Sequence, residues 1–392
     1  MKAVILAGGL GKRLLPITEH IPKALVKIEG IPIIHKQLLQ LEENGFKEVI
    51  ILTGHLSHQI EQYLEKYTFS FDLKILWSPV ELSPAERLIK FREEIGENFT
   101  LLYCDNFLPD SREVFHLNFP FKYKFILNSR KEGNIRIQEK NKIEITTSKR
   151  SSSFPFVEIG YTTIHDTDFF PTLISTKDLN KCFKIITQTQ DVQYLEYSGQ
   201  YFSLSSIDVY QNAIDKSKIL FLDRDGIINK SVGHRKYVTK FEEFEFVEEN
   251  LVYLQKLSSL GFSLIILTNQ PGVSTGEIDR DFLSQLHRYL FMQFLVKKIN
   301  LLAIYVCQHH WNEECLCRKP KPGLIRSAIE DFGLHNQPLL FIGDQEKDYK
   351  AAEEIGIEGE VVNENLCDVG NFGLISKARF RIEKIYGVLL NY

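Results

Sequence analysis

Short apolar runs that stop abruptly at glycine or polar residues recur along this chain. In its first half they read "KAVILAGG", "EVIILTG" and "FTLLYCDN"; from Lys218 the pattern restarts as "KILFLDRDG", "FSLIILTNQ", "LLAIYVC" and "LLFIGDQ". Runs that are apolar throughout, rather than at alternate positions, belong to strands covered on both faces, as parallel sheets require. Between them lie segments of helical apolar spacing that end at glycine, such as "IPIIHKQLLQLEENG" and "LVYLQKLSSLG". This alternation predicts an α/β fold with ligands gathered where the strands end. The restart divides the 392 residues into two domains, 1–215 and 218–392, each a Rossmann-like, mostly parallel sheet flanked by helices.

Composition narrows the partners. Hydrophobic residues make up 44% of the chain and charged residues 25%, with a formal net charge of −4. There is material for two cores and no electrostatic reason to expect nucleic acid. No apolar run reaches the roughly 18 residues that cross a bilayer, so no membrane partner is expected. The opening "MKAVILAGG" lacks the basic region, long apolar core and cleavage site of a secretory leader. Six cysteines without a regular framework fit a reducing compartment, where clustered thiols hold metal. The expectation is a cytoplasmic protein acting on small molecules, with homo-oligomerisation left open.

Four strand ends in the second half carry one chemistry: "FLDRDGIIN", "TNQPG", "CRKPKPG" and "FIGDQEKD". Asp223 and Asp225, one residue apart at a strand exit, offer one carboxylate to attack phosphorus and another to move protons at the leaving oxygen and at water. A phosphoryl centre ringed by oxygens repels an incoming carboxylate. Lys319, the Thr268 hydroxyl and a Mg2+ held with help from Asp344 supply the compensating charge and donors. Each piece alone reads as a solvated turn or a helix cap; four in order make a site. Together these motifs resemble the haloacid dehalogenase superfamily. Within it they resemble the minimally capped phosphatases acting on histidinol phosphate or D-glycero-D-manno-heptose 1,7-bisphosphate. The resemblance implies Asp223 as nucleophile, Asp225 as acid/base, and Thr268 and Lys319 on the phosphoryl group. It also implies Mg2+ held by Asp223, Asp225 and Asp344, with Asp348 in support, and Asn229, Asn269, Gln270 and Arg318 around the substrate.

Just before Lys319 the chain reads "CQHHWNEECLC". Cys307, His309, Cys315 and Cys317 form a C-x-H-x5-C-x-C set of soft thiolates and one imidazole, suited to tetrahedral Zn2+. Four protein ligands leave no open position, so this ion is expected to be structural and to steady the loop carrying Arg318 and Lys319. By resemblance, the short spacer sides with histidinol-phosphate enzymes, whereas "FEEFEF" sides with the heptose group.

In the first half, "LAGGLGKRLLPITEHIPKAL" places a glycine-rich turn after a strand, where backbone N–H groups can approach phosphates and Arg13 and Lys23 add charge. The pattern G-G-x-G-x-R-L, then P-x-T, then P-K, resembles the sugar-phosphate nucleotidylyltransferases. In that family a sugar 1-phosphate attacks the α-phosphate of a nucleoside triphosphate, with Mg2+ assisting. The resemblance implies Gly8, Gly9 and Gly11 on the phosphates and Arg13 and Lys23 on the developing charge. It further implies Asp105 on the metal, and Glu158, Gly160 and Tyr161 at the sugar. Two positions depart from the family: Ser83-Pro84-Ala85-Glu86 stands where small residues grip nucleotide and sugar, and Ser203 stands where a second metal-binding aspartate is expected, leaving Asp208 as a substitute.

The two chemistries join in series. Removing the 7-phosphate of a heptose 1,7-bisphosphate leaves a heptose 1-phosphate, the substrate class of a nucleotidylyltransferase. The chain therefore reads as a bifunctional enzyme of nucleotide-activated heptose synthesis for cell-surface polysaccharide, and the resemblance favours GMP as the transferred nucleotide. Two alternatives share these residues: a phosphatase with a degenerate nucleotide- or sugar-phosphate-binding module, and a histidinol-phosphate phosphatase.

Overall fold

The computed structural model describes residues 1–392 except 111, 116–120, 139–141, 148, 191, 200, 213, 234–235, 363–377, 389 and 391–392. The chain forms two compact units. The first comprises Met1–Lys12, Pro22–Val26 and Ile31–Ser205; the second comprises Arg13–Ile21, Lys27–Gly30 and Ser206–Tyr392. This division departs from a single cut near residue 215. The change of unit falls at Ser205–Ser206, and two short pieces of the opening residues belong to the second unit. Their side chains explain it: Leu14, Ile17, His20 and Ile28 are buried, His20 packs on Phe291 with ring centroids 5.7 Å apart, and Lys27 Nζ donates to the Ile299 carbonyl at 2.7 Å.

In the first unit one sheet runs, in spatial order, Ile143–Ile145, Ile135–Ile137, Phe156–His165, Asn98–Tyr103, Lys2–Ala7, Glu48–Thr53, Asp72–Trp77. Tyr123–Ser129 pairs with Phe156–His165 and Val192–Glu196. The four strands from Asn98–Tyr103 to Asp72–Trp77 are parallel, while Phe156–His165 runs antiparallel to its neighbour. Lys2–Ala7 is buried at every position but its first, as its uniformly apolar sequence requires. From it the chain moves first to one side and later to the other, so a crevice opens at its carboxyl end, where the glycine turn lies.

The second unit carries a five-stranded, wholly parallel sheet in the order Leu301–Cys307, Ser263–Asn269, Ile219–Leu222, Leu340–Gly343, Glu358–Val361. The central strand Ile219–Leu222 is buried throughout, and the order of its neighbours again reverses beside it. Asp223 therefore leaves the sheet at the switch point, between the ends of Ser263–Asn269 and Leu340–Gly343. No helix among the described residues is long and apolar enough to cross a membrane.

Candidate functional site

Asp223 is 4% exposed, and its N–H donates to the Ile342 carbonyl at 3.0 Å. Lys319 Nζ stands 2.8 Å from Asp223 Oδ1 and 2.8 Å from Asp348 Oδ1 and donates to the Leu267 carbonyl at 2.8 Å. Asn269 holds the backbone of Lys319 from both sides. The Lys319 N–H donates to Asn269 Oδ1, and Asn269 Nδ2 donates to the Lys319 carbonyl, each at 3.1 Å. The carboxylates of Asp223, Asp344 and Asp348 converge, with ligand atoms all within 4.8 Å of one another. Glycine makes this crowding possible, because a side chain at Gly226 would strike Asp344 and one at Gly343 would strike Asp348.

Burial pushes Asp223 up to about 7 against the pull of Lys319, with Asp348, Asp225 and Asp344 adding to the rise. Burial, then the charge of Asp348, pushes Asp344 up to about 6. Asp344 Oδ1 is buried with no hydrogen-bond partner among the described residues. A crowded oxygen set short of positive charge fits a hard divalent cation.

The expected carboxylate set differs in one member. Asp225 is not among the converging carboxylates, whereas Asp348, expected in support, is. The cause is the intervening residue. Arg224 Nη2 donates to Asp225 Oδ1 at 2.9 Å and to Oδ2 at 3.0 Å, Asn229 Nδ2 donates to Oδ1 at 3.0 Å, and Gln270 Nε2 donates to Oδ2 at 2.7 Å. Burial alone would raise the Asp225 pKa, but Arg224, Asn229 and Gln270 outweigh it and hold the group below the usual carboxylate value. Gln270 also donates to Thr268 Oγ1 at 2.8 Å, so that hydroxyl accepts here and keeps its own proton to donate. Gln270 is thus turned inward onto Asp225. Arg318 donates to the His309 carbonyl at 3.4 Å.

Cys307 Sγ lies 3.7 Å from His309 Nδ1 and 3.8 Å from Cys315 Sγ, and His309 Nδ1 lies 3.2 Å from Cys317 Sγ. Ligand atoms at about 2.0–2.3 Å from a central tetrahedral ion stand roughly 3.3–3.8 Å apart, so the four converge as a metal-binding set. His310 is turned away onto Trp311, ring centroids 3.8 Å apart. The turn that closes the cluster, Leu316–Gly323, is the one that delivers Lys319, and its Gly323 N–H donates to the Leu316 carbonyl at 3.1 Å.

In the first unit, Lys23 Nζ pairs with Asp105 Oδ2 at 2.5 Å. Ser203 stands opposite Asn106 in a short antiparallel pair, and the Leu204 N–H donates to the Asp105 carbonyl at 2.7 Å. Ser203 therefore does lie beside the acidic position, without a carboxylate to add. Asp208 falls in the second unit, as does Arg13, which is exposed. Glu158 Oε1 accepts from the N–H groups of Gly160 and Tyr161 at 2.7 and 2.8 Å and from Thr162 Oγ1 at 3.1 Å. Gly160 has φ +80° at this irregularity, and a side chain there would strike Asn106 and Tyr103. Tyr161 is core, 1% exposed, with its hydroxyl on Gln40 Oε1 at 3.1 Å.

The departure at residues 83–86 has a local explanation. Ser83 and Glu86 cap the helix Pro84–Lys90 reciprocally, the Ser83 N–H on Glu86 Oε2 at 2.8 Å and the Glu86 N–H on Ser83 Oγ at 3.2 Å. That helix carries Arg87, which the sequence reading did not single out. Its guanidinium is buried beneath the glycine turn and donates to the carbonyls of Thr53, Gly8 and Val80 at 2.8, 3.1 and 3.2 Å and to both oxygens of Ser78. A side chain at Gly8 would collide with it. Gly9 faces open space, and Gly11 has φ +66°.

Known proteins match both halves. The family model described as Nucleotidyl transferase matches residues 2–114, and the one described as HAD-hydrolase-like matches residues 316–371. A D-glycero-beta-D-manno-heptose-1,7-bisphosphate 7-phosphatase of Helicobacter pylori is 39% identical over 160 residues, 40% of this chain and 87% of that protein. A D-glycero-alpha-D-manno-heptose-1,7-bisphosphate 7-phosphatase of Photorhabdus laumondii is 34% identical over 150 residues, 36% of this chain and 80% of that protein. Among solved structures, CTP:phosphocholine cytidylyltransferase from Streptococcus pneumoniae is 24% identical with a TM-score of 0.46, covering 54% of this chain and 96% of its own.

Proposed function

Because this chain belongs to the D-glycero-D-manno-heptose-1,7-bisphosphate 7-phosphatase family, we propose that it removes the 7-phosphate from that sugar and, through its nucleotidyl transferase domain, activates the resulting heptose 1-phosphate. The observation that carries the first step is Lys319 locked between Asp223 and Asp348 at 2.8 Å. Asp223 Oδ1 is engaged by Lys319 and by the Arg224 N–H at 2.7 Å, which leaves Oδ2 to attack phosphorus. The bond from phosphorus to the sugar oxygen breaks, and that oxygen takes the proton carried by Asp225. Water then gives a proton to Asp225 and attacks the aspartyl phosphate, Asp223 departs as carboxylate, and inorganic phosphate leaves. The held, ionised form of Asp225 is the one the water step needs.

Asp223, Asp344 and Asp348 would hold Mg2+, which supplies charge to the phosphoryl oxygens when bound. Cys307, His309, Cys315 and Cys317 would hold a structural Zn2+ that fixes the Lys319 loop. The names of the relatives support heptose over histidinol phosphate despite the short cysteine spacer.

For the second step, the backbone at Gly8, Gly9 and Gly11 would receive the triphosphate, Lys23 would exchange Asp105 for phosphate oxygens, and Asp105 would take Mg2+. GMP is our reading of the transferred group, on the sequence pattern, and the five free cysteines described support a cytoplasmic setting. The test uses Asp223→Asn. Phosphate release from heptose 1,7-bisphosphate is expected to vanish, while pyrophosphate release from GTP and heptose 1-phosphate persists. Retained phosphate release, or no pyrophosphate with any nucleoside triphosphate, overturns the corresponding half.

A further inference from the structure

The helix Arg280–Val296 buries one face, including Leu283, Leu286, His287, Leu290 and Phe291. His287 is the polar member of that stripe, 1% exposed, and its ring meets two partners. Arg224 Nη1 lies 3.2 Å from His287 Nε2. His20 meets the His287 ring edge-on, centroids 5.3 Å apart at 78°, and leans on Phe291. All of these residues lie in the second unit. A guanidinium is a planar fork whose prongs are aimed together. Two edges of the Arg224 fork take both oxygens of Asp225, and the remaining prong has His287 Nε2 as its acceptor. A second cation at that point would repel the fork. Burial, then the charge of Arg224, holds His287 well below its usual value, and burial with Arg288 brings His20 down to about 3. A guanidinium has only donors, so the His287 Nε2 that faces Arg224 Nη1 at 3.2 Å accepts, with the ring proton on Nδ1.

We infer that His287, seated by His20, is a positioning residue of the phosphatase reaction: it aims the Arg224 guanidinium and thereby fixes the carboxylate of Asp225. His20 lies within the stretch matched by the Nucleotidyl transferase model, residues 2–114. A piece of one enzyme's signature region therefore completes the support of the other enzyme's acid/base. Sequence period alone reads His287 as one more core position; the signal that marks it is the arginine inside "DRD", a buried cation that needs a neutral acceptor for its third edge.

The inference rests on the phosphatase reading, and the experiment separates the two. Full-length wild type, His287→Phe, His287→Gln, His20→Ala and the His287→Phe/His20→Ala double variant are assayed for phosphate release from heptose 1,7-bisphosphate and from p-nitrophenyl phosphate, with circular dichroism melting on each. Phenylalanine keeps a ring and removes the acceptor; glutamine restores an acceptor. His287→Phe is expected to lower kcat by roughly 10- to 100-fold, the usual loss when a supporting partner is removed, with KM within about twofold. His287→Gln is expected to recover most of the loss. His20→Ala is expected to lower kcat less, and the double variant to match His287→Phe alone because the two act in one chain. Full kcat in His287→Phe, equal losses in Phe and Gln variants, or additive effects of the two histidines overturns the relay. A wild type that releases phosphate from neither compound overturns the phosphatase reading itself, and the relay with it.

Discussion

The ammonium of Lys319 touches the Asp223 carboxylate at 2.8 Å with the two side chains 1% and 5% exposed. A charge pair this deep gains little as a pair and costs heavily when halved. Lys319→Met is expected to lower phosphatase kcat by about 10²–10³-fold or more and to destabilise the second unit by about 3–5 kcal/mol. A divalent cation would offset part of that loss, so Mg2+ should raise the melting temperature of the variant more than that of wild type. Calorimetry with and without Mg2+, beside kinetics, checks both outcomes.

The cysteine set predicts a loss of a different kind. Cys315→Ser removes one of four converging ligands while touching nothing at Asp223. Bound zinc is expected to fall well below one per chain, and kcat to fall about 10- to 100-fold through a loosened Lys319 loop. Elemental analysis and limited proteolysis within residues 307–323 read the two effects separately.

Arg87 ties three strand ends to one helix through carbonyl acceptors. Replacing it by methionine strands those acceptors under the glycine turn, an expected cost of about 3–5 kcal/mol to the first unit. Denaturant unfolding should show it, together with loss of pyrophosphate release while phosphate release is kept. A variant of wild-type stability would mean that water replaces the guanidinium.

Much of this architecture is legible in the residue order, and the reason is geometric. A parallel sheet brings every strand end to one edge, so "DRDG", "TNQ", "RKP" and "GDQEKD" need only follow strands to meet. What stays hidden depends on side-chain direction. Asp225 lies one residue beyond Arg224 and turns to it instead of joining Asp223, and no spacing rule announces that. Ser83 to Glu86 shows the opposite case. Read as a broken binding motif, it is also S-x-x-E, a legible capping box, and its helix carries an arginine whose destination only the fold reveals. The interleaving of Arg13–Ile21 and Lys27–Gly30 with the second unit leaves no compositional trace, since buried Leu, Ile and His serve either core equally.

Glu158 sets a pH dependence. Burial, opposed by the N–H groups of Tyr161 and Gly160 and the Thr162 hydroxyl, pushes its carboxyl up to about 7. A folded value above the unfolded one means that the native state holds the proton more tightly. Its contribution is full below about 4.5 and is lost as pH rises to about 7, by roughly 2–4 kcal/mol in all. Glu158→Gln keeps an acceptor oxygen and cannot ionise. Its stability relative to wild type is expected to grow from pH 5 to pH 8 and then level, which melting curves across that range test.

The discontinuous composition of the second unit also sets an order of assembly during synthesis. His20 leaves the ribosome early and His287 late, so the loop bearing His20 must wait for its partner while most of the first unit is being made. Cutting the gene at one point between the two activities would separate a segment from the core it fills. Two complementary fragments should therefore recover phosphatase activity only when the one carrying His20 is also present.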